Sequence, residues 1–135
     1  MSGLVLKLAP RERLLVNGAV VENGERRARL AILTPGAHIL RLRDAIRPEE
    51  ADTPVRRVCY VAQLCLSGDA APDEGRRQLL SGIAQLSQAL RDPASQQLLA
   101  EAAEAAASDD AYRALKRLRA LLPLEARLLA GRAPP

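Results

Sequence analysis

Arg27 and Arg29, and again Arg41 and Arg43, stand two residues apart within short apolar runs. A strand sends successive side chains to opposite faces, so each pair puts two guanidinium groups on one side. Lys7, Arg11 and Arg13 lie in the preceding runs and can join that side. A guanidinium presents a planar fork of donors that matches phosphate or carboxylate bidentately. A face of this kind suits a polyanion better than a small-molecule substrate. A solvated strand face accounts for the same spacing without any ligand.

Catalytic chemistry has little to work with. The one histidine, His38, falls in an expected strand, and no motif places a nucleophile beside it. Cys59 and Cys65 are the only cysteines; their spacing lies within one expected helix and fits neither a zinc nor a redox pattern. Two buried thiols in a reducing compartment are the expectation. No glycine-rich loop leads into a helix, so no nucleotide-binding signature is present. Glu49-Glu50 reads as an acidic pair ahead of a helix. The sequence therefore points away from an enzyme, and no metal or cofactor is expected.

The chain has 135 residues, 48% of them apolar, enough for one modest core. Phe and Trp are absent and Tyr occurs twice, so that core must be built from Leu, Val, Ile and Ala. Eighteen of the 20 basic residues are Arg, which a GC-rich genome would also favour. The formal charge is +4 and its distribution is uneven: residues 3–47 carry nine basic and four acidic groups, residues 53–135 eleven and nine. The excess sits where strands are expected. No apolar run reaches the length of a membrane span, and the first residues do not read as a secretion signal. A soluble cytoplasmic protein is expected.

The elements that would position the arginines follow from turn chemistry. Leu4, Leu6 and Leu8 alternate with Val5 and Lys7 as a strand does. Leu14–Val16 and Ala19–Glu22 flank Asn17-Gly18, and Asn-Gly tolerates the positive φ of a hairpin turn. Asn23-Gly24 is read as a second turn of the same kind and Pro35-Gly36 as a third. Between them Ala28, Leu30 and Ile32 face one way, with Arg27 and Arg29 opposite. In His38–Arg43, Leu40 and Leu42 take the core face and Arg41 and Arg43 the other. About five short strands result, in one small antiparallel sheet.

Asp44–Thr53 is polar and reads as a connection. Thr53 or Asp52 can cap a helix with Pro54 in its first turn. That helix, through Val55, Val58, Cys59, Ala62 and Leu66, is expected to be buried nearly all round. A second helix spans about 73–91 with the stripe Leu79, Ile83, Leu86, Leu90. A third starts at Asp92-Pro93 and is Ala-rich enough to invite close packing by another helix. A fourth is read as capped by Ser108, with Ala111, Leu115, Leu118 and Leu122 inward, and stopped by Pro123. Leu124, Leu128 and Leu129 form a short apolar tail, and residues 131–135 read as a frayed end. The fold class is α+β: a small antiparallel N-terminal sheet (1–47) followed by about four helices (48–135), packed as one unit.

The stretch LVLKLAPRERLLVNGAVVENGERRARLAIL, followed by PEEADTPVRRVCYVAQL, resembles the FlbT family of flagellin regulators of alphaproteobacteria. The hallmarks fall on Leu4-Val5-Leu6-Lys7-Leu8, Glu12-Arg13, Asn17-Gly18-Ala19-Val20, Glu22-Asn23-Gly24 and Ala51-Asp52-Thr53-Pro54. The resemblance runs from Leu4 to about Leu99. Cys59 stands where the family pattern has an aromatic residue, and Cys65 and Leu66 where it often has bulkier ones. The resemblance implies post-transcriptional control through the 5′ untranslated leader of flagellin mRNA. Translation is held back and the message shortened in lifetime until the hook and basal body are complete; some members instead support flagellin production. It also implies a small partner, FlaF, in the same circuit. At fold level the strand order is similar to the carbon-storage-regulator RNA-binding proteins, which leaves an intertwined homo-oligomer open.

Two function classes remain. In the first, Lys7, Arg11, Arg13, Arg27, Arg29, Arg41 and Arg43 hold phosphates of the leader, blocking the ribosome or recruiting a nuclease. In the second, the helices bind a flagellar protein and the effect on RNA is indirect. The sheet lacks the aromatic platforms that usually stack bases, so RNA binding would rest on arginines and backbone groups.

Overall fold

Asn17 and Gly18 adopt positive φ, 50° and 85°, and close a tight hairpin in a computed structural model that describes residues 4–131. Of the frayed end read at 131–135, residues 132–135 lie outside the described residues, and Gly131 is instead the last helical residue of the chain's final described helix. The chain divides into two compact units, Met1–Ala45 and Ile46–Pro135. Strands and helices segregate between them, so the fold class is α+β.

The first unit holds β1 (Leu4–Leu8), β2 (Arg13–Val16), β3 (Ala19–Glu22), β4 (Ala28–Ile32) and β5 (Ile39–Arg41). They form two antiparallel sheets where one was expected: a ribbon of β1 and β4, and a three-stranded sheet in the order β3-β2-β5. The cause lies at Asn23-Gly24, which is not a second primed turn, since neither residue has positive φ. The Asn23 side chain instead donates to the carbonyls of Ala9 (2.8 Å) and Arg26 (2.9 Å), leading the chain away from β3. β4 then pairs with β1, Leu6 opposite Leu30 and Lys7 opposite Arg29. Leu8, Leu14 and Ile39 form the core, with Leu6, Val16, Leu30 and Ile32 packed against them. Alternation fails past Arg41, where Leu42–Asp44 coil into a 3-10 turn.

The second unit begins with a 3-10 turn at Pro48–Glu50, where Glu50 accepts a hydrogen bond from the Arg47 N–H. It continues as α1 (Pro54–Ser67), α2 (Pro72–Ala89), α3 (Pro93–Ala107), α4 (Ala111–Arg119) and α5 (Leu122–Gly131). Thr53 caps α1, accepting from the Arg56 N–H, and Asp92 caps α3, accepting from that of Ser95. The cap of α4 is Asp110, which accepts from Arg113; Ser108 instead closes the end of α3. Pro123 does not stop the chain. It is the second residue of α5, a position where its missing N–H has no intrahelical role.

Leu79, Ile83, Leu86, Leu99, Leu115, Leu118 and Leu121 fill the helical core, with Ala102, Ala105, Ala106 and Ala114 allowing close approach. In the first turn of α1 Val55 is buried but Pro54, Arg56 and Arg57 are exposed, while the later residues of the helix are buried or half-buried. Cys59 is fully buried but Cys65 only half, so the expectation of two buried thiols holds for one. A Cβ on Gly82 of α2 would lie 2.8 Å from Val58 Cγ2, which marks how tightly α1 and α2 meet. Two buried polar side chains tie loops to helices. Gln63 bonds the N–H and carbonyl of Ile46 at 2.8 and 2.9 Å. Glu125 accepts from Thr53 Oγ1 at 2.5 Å and from the Val55 N–H at 2.8 Å. No helix among the described residues is long and apolar enough to cross a membrane.

Candidate nucleic-acid interface

An open groove of about 660 Å³ in the first unit is lined by Lys7, Leu8, Ala9, Arg27, Ala28, Arg29, Arg41 and Arg43. Five of the seven cations singled out in the sequence meet there. β1 and β4 supply Lys7 and Arg29 on directly opposite positions. Arg27 precedes β4, and Arg43 stands in the 3-10 turn after β5. Like charges directly opposite on a ladder repel, which disfavours the pairing. Lys7, Arg27 and Arg29 are exposed and make no ion pair among the described residues.

Arg41 corrects the expected pattern. Its position is opposite Leu14, on the Ile39 side of β5, so it turns inward and its side chain is only 19% exposed. Two bonds to Glu12, at 2.6 Å to Oε2 and 2.8 Å to Oε1, satisfy the guanidinium, and a third goes to the Lys7 carbonyl. Arg41 therefore joins the two sheets beneath the groove rather than standing free on its face. Arg43, 3.7 Å from Glu12 Oε2, remains 58% exposed.

Glu12 was not singled out as a site residue, though it is the one acidic residue before Glu22. It sits in a turn where Arg11 takes φ 61°, the Arg11 N–H bonds the Gly24 carbonyl, and the Glu12 carboxylate accepts from the Ala9 N–H. The Arg41 hydrogen bonds, aided by that of Ala9, hold the Glu12 carboxyl down at about 2. The same pairing pushes the Arg41 guanidinium up.

Arg11 and Arg13 lie outside the groove. Arg13 pairs with Glu22 at 2.7 Å, and Arg11 with Glu25 at 3.0 Å and Glu22 at 3.7 Å. Hydrogen bonding from Arg13 lowers the Glu22 carboxyl. Their charge is thus answered within the protein. His38 serves the β2–β3 turn: its backbone N–H donates to Asn17 Oδ1 and its carbonyl accepts from the Asn17 N–H. Among the described residues no cluster of three or more metal-ligating side chains occurs.

Comparison with known proteins gives a consistent picture. The family model described as "Flagellar protein FlbT" matches residues 4–129. The chain is 34% identical over 131 residues to the "Probable flagellum biosynthesis repressor protein FlbT 1" of Bradyrhizobium diazoefficiens, covering 93% of this chain and 84% of the relative. It is 28% identical over 128 residues to the corresponding Mesorhizobium japonicum protein, with 95% and 86% covered. Against the "Flagellum biosynthesis repressor protein FlbT" of Caulobacter vibrioides it is 27% identical over 122 residues, with 90% and 86% covered. No solved structure matches.

Proposed function

Because the chain belongs to the FlbT family of flagellar proteins, whose relatives are named as flagellum biosynthesis repressors, we propose that it represses flagellin synthesis by binding the 5′ untranslated leader of flagellin mRNA in the cationic groove. One observation carries the RNA step. Lys7 and Arg29 face each other across β1 and β4 with no carboxylate between them, so an incoming phosphate relieves a repulsion built into the fold. Arg27 and Arg43 extend the field along the groove. Leader RNA held there is closed to the ribosome and open to a nuclease. The chemistry asked of the protein is binding alone, in the cytoplasm where message is translated.

The test is titration of purified protein against the flagellin leader and a scrambled leader over a range of salt. Phosphate contact predicts a log–log slope of about −0.7 per neutralised phosphate on a single strand. Specific, salt-steep binding supports the reading; equal or absent binding removes it.

A second reading rests on α5, where Leu128 and Leu129 are 48% and 45% exposed beside a small cleft lined by Val55, Leu86 and Leu90. An adaptor would seat a flagellar protein such as FlaF there. Such binding would be far less sensitive to salt and would survive removal of the groove arginines.

A further inference from the structure

The β1–β4 ribbon has two faces of different character. Leu6, Leu8, Leu30 and Ile32 turn to the core. On the outward face two rungs lie side by side: Val5 opposite Ala31, then Lys7 opposite Arg29. All four residues are exposed, Val5 to 56%. Leu33, just past the end of β4, is 73% exposed. An apolar rung therefore adjoins a doubly cationic one, about 6.6 Å away along the strands.

That pairing matches the make-up of a nucleotide, in which a charged phosphate and an apolar ring face lie next to each other. It does not match duplex RNA, whose bases are stacked inside and whose recognition runs through phosphates and 2′-hydroxyls. A duplex site has use for Lys7 and Arg29 and none for an exposed Val5–Ala31 rung. The ribbon strands carry no aromatic residue, so this aliphatic rung is the flat apolar surface available to a base.

We propose that the outward face of the β1–β4 ribbon is a subsite for one unpaired nucleotide, with its phosphate on Lys7 and Arg29 and its base against Val5 and Ala31. The inference rests on the RNA reading above and narrows it to unpaired segments of the message. It makes the protein a reader of accessible strand rather than of helical stems.

Three probes at one salt concentration test it: an oligouridylate, the same strand annealed to oligoadenylate, and inorganic polyphosphate. The wild-type protein should bind the single strand about tenfold more tightly than the duplex. Val5→Tyr places a stacking ring on the rung, favours the strand conformation, and should tighten single-strand binding about fivefold or more. Val5→Ser should weaken it about threefold, and neither change should move polyphosphate affinity. Equal affinity for single strand and duplex, or a folded Val5→Tyr protein that binds the single strand like wild type, overturns the subsite while leader binding stands. Failure of the wild-type protein to bind leader RNA overturns the function itself.

Discussion

Arg41 donates to both carboxylate oxygens of Glu12, 29 residues away, and also to the Lys7 carbonyl. A turn, the last residue of β5 and a residue of β1 are thereby fixed to one another. Lys7, Arg27, Arg29 and Arg43 are exposed in the groove, but the frame that spaces them depends on this covered pair.

The pair should be visible in acid. The Glu12 carboxyl lies near 2 in the folded chain against an ordinary 4.5, so folding favours its charged form. The resulting stability is complete above about pH 4.5 and is lost as pH falls toward 2. Urea midpoints measured across that window should fall more steeply for wild type than for Glu12→Gln. Arg41→Ala, which strips the covered carboxylate of its two guanidinium hydrogen bonds and leaves it the Ala9 N–H and the more distant Arg43, should lower the midpoint at pH 7, and Arg41→Lys should recover only part.

Removing charge at Arg29 should separate stability from binding. Arg29→Thr abolishes the repulsion with Lys7 and should raise unfolding free energy by about 0.2–1 kcal/mol. The same change should weaken leader binding and reduce the magnitude of the salt slope by about 0.7. Arg11→Ala and Arg13→Ala act on cations already paired with Glu22 and Glu25 and should change affinity far less. Urea unfolding of Arg29→Thr reads the stability gain, and a filter-binding series over salt on these variants reads the affinities and the slope.

Gly82→Ala should destabilise the helical unit despite its better helix propensity. The new methyl would meet Val58 Cγ2 at 2.8 Å and Cγ1 at 3.3 Å. Overpacking of this kind costs about 1–3 kcal/mol. Val58→Ala in the Gly82→Ala background should restore part of the loss, and a double-mutant cycle in denaturant measures the coupling.

The two thiols should react in sequence. Burial pushes Cys59 up to about 12 and leaves its side chain inaccessible. Burial also raises Cys65, but that residue is half-exposed. A disulfide reagent should label one equivalent slowly in the native protein, at Cys65, and the second only on unfolding. Cys65→Ser should remove the native-state phase.

The parts of this structure legible in the sequence are those governed by near neighbours. Asn17-Gly18 announced its hairpin because a two-residue turn needs positive φ at both positions. The stripe Leu79, Ile83, Leu86 was readable because helical period depends on nothing outside the helix, and Leu90 is buried just past the end of α2. Asn23-Gly24 misled because a side-chain bond to Ala9, 14 residues away, decided its conformation. Arg41 misled for a similar reason. Period two set it opposite Leu40, which is buried as expected, but the other face of β5 is covered as well, through pairing with β2 and through Glu12 waiting there. The division into two sheets rests on β1 meeting β4 across two intervening strands, and no local pattern encodes that. Ser108 and Asp110 both suit a helix start, and only the ending of α3 at Ala107 chooses between them.

Glu125 closes the first turn of α1 from 70 residues downstream. On the ribosome that separation becomes a delay. Helices α1 to α4 can pair with their neighbours in the order in which they leave the tunnel, yet the Val55 N–H stays without its carboxylate until α5 has emerged. The helical unit therefore completes its structure only once nearly all of it has been synthesised. The last helix acts as a checkpoint on the first, and chains halted before residue 125 should be held open to proteolysis at Thr53 and Pro54.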